Sequence, residues 1–334
     1  MGTMTTGDIS FRTAGFIAAE LLKRADPALV MQPFLQVKPI PKNSSQTIKF
    51  RRYLALPPAT AALTEGVTPS GSSITSENFE TTLVQIGDWV GITDVVTDTH
   101  EDPIIKEYTD ILAKQAALTV ETKLFHIMRA GTNVYYANGS ARTDVNTTLT
   151  LGLQRKITRG FKRQNAGLIT KKVSSSANMD TVNVKPSFIA FVHPDLESVI
   201  QDMKGFKDVV DYGSMTPYPT EIGSVGDVRY LTSTVFEKWE NAGAAKAGSG
   251  TTMEASNSGA NADVYPIIYI SADCAAVTPL KGASAITPFV KNPGESREGD
   301  QLGQRGWIGW KSYFAGLILN QVWCARAEIS VPAL

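Results

Sequence analysis

FETTLVQIGDWVGITDVV, residues 79–96, alternates along its length. In an extended chain Val84, Ile86, Val90 and Ile92 fall on one face, and Phe79, Thr81, Leu83 and Gln85 on the other. Read as one strand it would reach roughly 60 Å at about 3.3 Å per residue, where ordinary strands have about 5–6 residues. Upstream, TIKFRRYLAL (47–56) reads as a strand, and PPATAALTEGVTPSGSSITSEN (57–78), rich in Pro, Gly, Ser and Thr, reads as a loop or tip. Strand, irregular tip and long returning strand make an extended two-stranded arm spanning residues 48–97. A lone two-stranded ribbon is marginal in water, so this one is expected to pack on something outside its own domain.

The rest of the chain supplies a body for that ribbon. Residues 1–47 hold one candidate helix, about Phe11 to Arg24, followed by extended chain punctuated by Pro33, Pro39 and Pro41; this reads as an arm. Asp102-Pro103 supplies a helix start. Ile104, Ile105, Tyr108, Ile111, Leu112, Gln115, Leu118, Thr122 and Phe125 then follow helical spacing. The spacing predicts a rod over 103–130, about 42 Å long, ending at Gly131. NVYYANGSARTDV reads as a hairpin turning at Asn138-Gly139. A basic helix follows, about Leu151 to Ala166, with Leu153, Ile157 and Phe161 inward. Residues 167–300 read as α+β: PSFIAFV (186–192), VRYLTSTVF (228–236) and YPIIYIS (265–271) are strands, and Asp195 is the expected N-cap of the helix LESVIQDM. Residues 241–263 are low in complexity and read as an exposed insertion without a core. Residues 301–334 are aromatic enough to return to a core sheet.

Composition excludes several classes of function. The chain has 334 residues, 43% hydrophobic and 19% charged, which suits a globular protein with one or two cores. Lys plus Arg and Asp plus Glu both number 32, so the basic excess of a dedicated nucleic-acid binder is absent. Cys274 and Cys324 can form at most one bridge, so no disulfide framework exists. No apolar run approaches the roughly 18 residues of a membrane helix. The three histidines, His100, His126 and His193, form no ligand cluster in sequence. The chain also lacks G-x-S-x-G, phosphate-loop, dinucleotide-binding and paired-cysteine metal motifs. No enzyme, cofactor or metal is expected.

The neutral total hides charge blocks. Met1–Leu56 carries eight bases against three acids, Pro57–Leu112 carries ten acids and one base, and Val145–Ala177 carries seven bases and no acid. A single run of charge is a solvated face; three alternating blocks suggest surfaces of opposite sign that meet within the chain or between copies.

Arm, long ribbon, long helix, α+β lobe and returning strands come in an order that resembles the major capsid proteins of tailed bacteriophages (Caudoviricetes), with the Hong Kong 97-type fold. ALTEGVTPSGSSITSENFETTLVQIGDWVGITDVV (62–96), FVHPDLESVI (191–200), GSVGDVRYL (223–231) and DQLGQRGWIGWKSYFAGLILNQVWCARAEI (300–329) are similar to the coat-protein family typified by phage N-four. The resemblance runs from about residue 10 to the end. It implies an N-terminal arm (1–47), an extended loop (48–97), a peripheral domain (98–166) with its spine helix, an axial domain (167–300) and a return to the peripheral domain (301–334). It also implies a shell built in the bacterial cytoplasm from hexamers and pentamers of this chain, enclosing double-stranded DNA held non-specifically on the inner face. Further implied partners are a separate scaffolding protein, a portal and a cement or decoration protein; no long cleaved pro-segment is expected. The type phage cross-links its subunits through a lysine in the extended loop, yet Phe50–Ile105 contains no Lys.

The ribbon is then expected to reach a neighbouring copy. Glu65, Glu77, Glu80, Asp88 and Asp94 would meet a basic surface such as Arg51 and Arg52, or Arg155, Arg159 and Arg163, with Trp89 and the arm's Phe11 and Phe16 as apolar contacts. A nanocompartment shell, a tail or decoration protein, and a binding module using 241–263 are the competing readings.

Overall fold

The computed structural model describes residues 29–40, 45–99, 104–173, 181–212, 217–246, 253, 259–278, 287–294 and 299–333. The expected helix at Phe11–Arg24 and the start signal of the spine helix at Asp102-Pro103 lie outside them. The chain opens with β1 (Gln36–Val37), β2 (Thr47–Tyr53), β3 (Ser76–Thr82), β4 (Val84–Thr93), α1 (Asp94–Thr99) and α2 (Ile104–Arg129). It continues through β5 (Val134–Tyr136), α3 (Leu151–Arg163), β6 (Ile169–Val173), β7 (Thr181–Val192), α4 (Glu197–Gln201), β8 (Phe206–Asp208), β9 (Glu221–Val225) and β10 (Val228–Thr232). It ends with β11 (Tyr265–Ile270), β12 (Ala275–Val277), β13 (Thr287–Lys291), β14 (Arg305–Phe314), β15 (Gly316–Ile318) and β16 (Cys324–Ile329).

The largest layer is an eight-stranded sheet in the order β5-β16-β11-β7-β10-β9-β8, with β6 paired to β7. Its central strands read as unbroken apolar runs because both faces are covered. Ile189 and Phe191 of β7 join Ile268 and Ile270 of β11 in one core, with Leu124, Phe125 and Met128 of α2. Phe188, Ala190 and Val192 face the other way, onto Leu153, Ile157 and Phe161 of α3. The side chain of Thr150 caps α3 by accepting the Leu153 amide at 3.2 Å.

A second, three-stranded sheet runs β13-β14-β4. One face packs Ile92, Ile308 and Trp310 onto Leu112, Ala113, Ala116 and Ala117 of α2. The alanines let helix and sheet backbones approach closely. The 26-residue α2, about 39 Å long, thus lies with its first half on this sheet and its second half on the large one.

Several expectations change. The stretch 79–96 is two strands and a helix start, not one long strand. Leu83, 5% exposed, turns inward onto Ile40 and Ala315, so β3 pairs with β2 while β4 pairs with β14 along its whole length. Ile111 and Leu118 of α2 are exposed, because the buried stripe includes Thr109, Ala113, Ala117 and Glu121. The polypeptide at 134–136 does not form a hairpin: β5 pairs parallel with β16, and Asn138-Gly139 makes only a turn, with Gly139 at φ +70°. Asp195 is not an N-cap; the ring of His193 accepts the Asp195 amide, and the Asp195 carboxylate accepts from Tyr265 Oη at 2.7 Å. The insertion at 241–263 is anchored, since Met253, Ala262 and Asp263 are buried and Lys238 pairs with Asp263 at 2.9 Å. Residues 301–334 divide, β14 entering the small sheet and β16 the large one. The arm also has a seated part, for Met31, Phe34 and Leu35 lie in the main core and β1 pairs parallel with β12.

Buried charge in the large sheet is paired. Glu221 accepts from Arg229 Nε and Nη2, from Tyr212 Oη at 2.7 Å and from the Tyr218 amide at 3.0 Å. Arg229→Ala would strand that carboxylate and is expected to lower stability by about 3–5 kcal/mol. Denaturant unfolding of the subunit measures this, and combining Glu221→Gln with Arg229→Met should recover most of the loss.

Candidate assembly surface

The ribbon β2–β3 is held at its root and bare at its tip. Ile48 packs beside Leu83 and Ile40, and the Leu83 amide donates to Gln46 O at 2.9 Å. Every residue from Tyr53 to Asn78 is exposed. Leu63 (78%), Val67 (62%) and Ile74 (64%) stand in water within one loop.

The charges expected to reach outward are partly spent within the ribbon. Glu77 pairs with Arg52 at 2.6 Å, Glu80 with Lys49 at 2.7 Å, and Arg51 donates to Asn78 at 3.0 Å. The acids and bases of two sequence blocks sit opposite one another across the β2–β3 register. Asp88 faces the spine: Gln115 donates to it at 2.6 Å, and that bond, with the Trp89 amide, holds its carboxyl below the usual range. Asp94 opens α1 and accepts the Val95 amide at 2.8 Å. Glu65 stands on the exposed tip.

Trp89 points away from the spine and is 67% exposed. The outward face of the small sheet forms a shallow groove of about 810 Å³ around it. The register sets Gly309 between Phe289 and Trp89, with Trp307 on one side along the strand and Lys311 on the other. A Cβ on Gly309 would lie 2.8 Å from both the Asp88 carbonyl oxygen and Trp89 Cβ, so this floor takes no side chain. Two aromatic walls therefore bound a slot one residue wide. The Lys311 ammonium lies 5.2 Å from the centre of the Phe289 ring, at the slot's end. Phe289, Trp307 and Lys311 were not singled out by sequence; the signal was the period-two pattern of RGWIGWKSYF, which puts Trp307, Gly309 and Lys311 on one face.

Arg155, Arg159 and Arg163 recur every four residues on the exposed side of α3, beside Lys156 and Lys162; Lys162 pairs with Asp227. Structure keeps this basic face on the opposite side of the large sheet from α2. Phe11 and Phe16 lie outside the described residues. Cys274 and Cys324 are buried free thiols, and burial pushes both up, Cys324 to about 12. Among the described residues no three His, Cys, Asp or Glu side chains gather as a metal site, and no helix is long and apolar enough to cross a membrane.

At the changeover of α2 from one sheet to the other sits Glu121, 0% exposed. Its Oε1 accepts the Met31 amide at 2.7 Å. Sequence reasoning missed it, though its spacing of four from Ala117 places it on the buried stripe.

Comparison with known proteins fits this architecture. The family model for phage capsid protein matches residues 77–318. No curated protein matches the sequence. Among solved structures, the capsid of Ralstonia phage GP4 is similar at TM-score 0.64 and 10% identity, covering 90% of this chain and 87% of that one. The capsid of cyanophage P-SCSP1u gives 0.58 and 10%, with 91% and 88% covered, and the mature capsid of bacteriophage PhiM1 gives 0.55 and 13%, with 90% and 86% covered. At such identities these likenesses establish the fold. The chain belongs to the phage capsid protein family, a structural shell subunit with the Hong Kong 97-type fold.

Proposed function

We propose that this chain self-assembles into hexameric and pentameric capsomers of an icosahedral shell around double-stranded DNA, each ribbon tip lying on a neighbouring copy. The carrying observation is the run of exposure from Tyr53 to Asn78 on a rigidly rooted ribbon, with apolar side chains that no local core covers. Such a loop gains by burial only in trans, and closed rings repeat that gain at every subunit. Because Glu77 and Glu80 are neutralised in cis, the contact is chiefly apolar, with Glu65 as the tip's charge. The Phe289–Gly309–Trp89 slot, with Lys311 at its end, has the chemistry to receive it. Arg51, Arg155, Arg159 and Arg163 are further contact candidates, as are Phe11 and Phe16 of the arm. A scaffold, a portal and a cement protein would complete the particle in the host cytoplasm, with DNA inside.

Deleting residues 57–75 should leave a folded subunit by circular dichroism and size-exclusion chromatography, and electron microscopy should find no shells. Normal particles from that variant would refute the ribbon's role.

Reversing Arg155, Arg159 and Arg163 to Glu leaves Leu153, Ile157 and Phe161 in place. Assembly should then be impaired more in low salt than in high, because exposed charges are screened over roughly 8–10 Å at physiological ionic strength. Light scattering across a salt series reads the difference; equal assembly at all salts would mean these arginines face solvent or DNA.

The shell should hold without covalent links. The span from Phe50 to Ile105 has no lysine amine, and both thiols are buried. In mature particles boiled in detergent the coat should run as one band near 36.0 kDa, and a ladder of its multimers would overturn this.

A further inference from the structure

Glu121 sits where the arm crosses the spine. Its carboxylate accepts the backbone amides of Met31 and Val30, while Oε2 has no hydrogen-bond partner among the described residues. Around it pack Val30, Met31, Val120 and Leu124, all buried. Among the described residues no cation lies close enough to neutralise a negative charge there. Residues 29–37 carry no ionisable side chain and β15 carries none. On α2 itself, Lys114 and Lys123 are exposed, and Asp110 and His126 lie on other turns. Of the β6 lysines, Lys171 is exposed and Lys172 lies 5.5 Å from the centre of the Tyr218 ring. An ionised carboxylate here would be a buried charge answered by two amides alone.

We propose that Glu121 is a proton-operated latch, which as the neutral acid seats the root of the N-terminal arm (29–35) on the spine helix and as the carboxylate lets that root open to water. The geometry supplies the two states. Protonated, the group needs little solvent and its carbonyl oxygen takes an arm amide. Ionised, it is stabilised by hydration, and water reaches it only if Val30 and Met31 lift away. Burial accordingly pushes its pKa up to about 8, against the opposing pull of the Met31 and Val30 amides. The sign follows. The seated state holds the proton more tightly than the opened one, where the carboxyl returns to the ordinary glutamate value of 4.5. Seating is therefore fully stabilised below about pH 4.5, weakens by up to tenfold per pH unit as pH rises, and levels off above about pH 8. The latch rests on the shell reading only for its consequence: an opened root would free Met31, Phe34 and Leu35, with the arm upstream, to bind another copy.

Hydrogen exchange on the unassembled subunit tests the latch without reference to shells. Protection of the 29–35 backbone, corrected for intrinsic exchange, should fall about tenfold per pH unit over part of the range between about pH 5 and about pH 8. Glu121→Gln keeps an acceptor for the Met31 amide and removes the titration, so its protection should not vary with pH. Identical pH profiles for wild type and Glu121→Gln would overturn the proposal. If that variant does not fold, difference infrared spectroscopy of the wild type decides. A buried carboxylic acid band should be present at mildly acidic pH and disappear with a midpoint above 4.5 and no higher than about 8; its absence at mildly acidic pH would overturn the proposal equally. Assembly of shells with no latch, or a latch in a chain that forms no shells, would separate this inference from the shell reading.

Discussion

The spine helix has to satisfy two sheets at once, and the rest of the fold is arranged around that demand. Its first half offers alanines to the small sheet, where Ala113, Ala116 and Ala117 meet Ile308 and Trp310. Its second half offers Leu124, Phe125 and Met128 to the large sheet. One straight rod therefore fixes the relative placement of the strands that carry the ribbon and the strands that build the α+β lobe. Rotation of the helix would uncover both cores together, because the same residues cannot face elsewhere without exposing large apolar area.

The ribbon hangs from this frame at two points. Leu83 is buried against Ile40 and Ala315, and β4 continues directly into ten paired positions with β14. What lies beyond the root has no such support. Cross-strand ion pairs neutralise the charges along β2 and β3, so the ribbon can approach another protein surface without carrying a large unpaired field. In the proposed contact the exposed leucine, valine and isoleucine of the tip would then supply the favourable term. On the small sheet, glycine at 309 removes the one side chain that would fill the space between Phe289 and Trp89. A surface groove is thus made by an omission in the sequence, on the face the spine does not use.

Much of this was legible in the residues. The 3.6-residue period after Asp102 located the spine to within a residue or two, and the doubly apolar runs at 186–192 and 265–271 marked the central strands. The basic face of α3 followed from the spacing of Leu153, Ile157 and Phe161. The order of elements pointed to the capsid fold. Each of these signals is local, carried by side chains a few positions apart, which is why a linear reading could find them.

Partner choice was decided only in three dimensions. Alternation through 79–96 is the same whether the chain is one strand or two, and it took Leu83 meeting Ile40 and Ala315, more than 40 and 230 residues away, to break it. The acids at 77 and 80 looked available until the register placed them across from Arg52 and Lys49. Ile111 and Leu118 share the helical period with buried neighbours but lie on a side that no sheet covers among the described residues. Glu121 carries the same lesson in reverse: in the sequence it is one acid on a mixed helix, and its burial depends on an arm segment 90 residues earlier folding back over it. Periodicity is written in the chain, but which face is covered, and by what, depends on contacts between segments that no local pattern encodes.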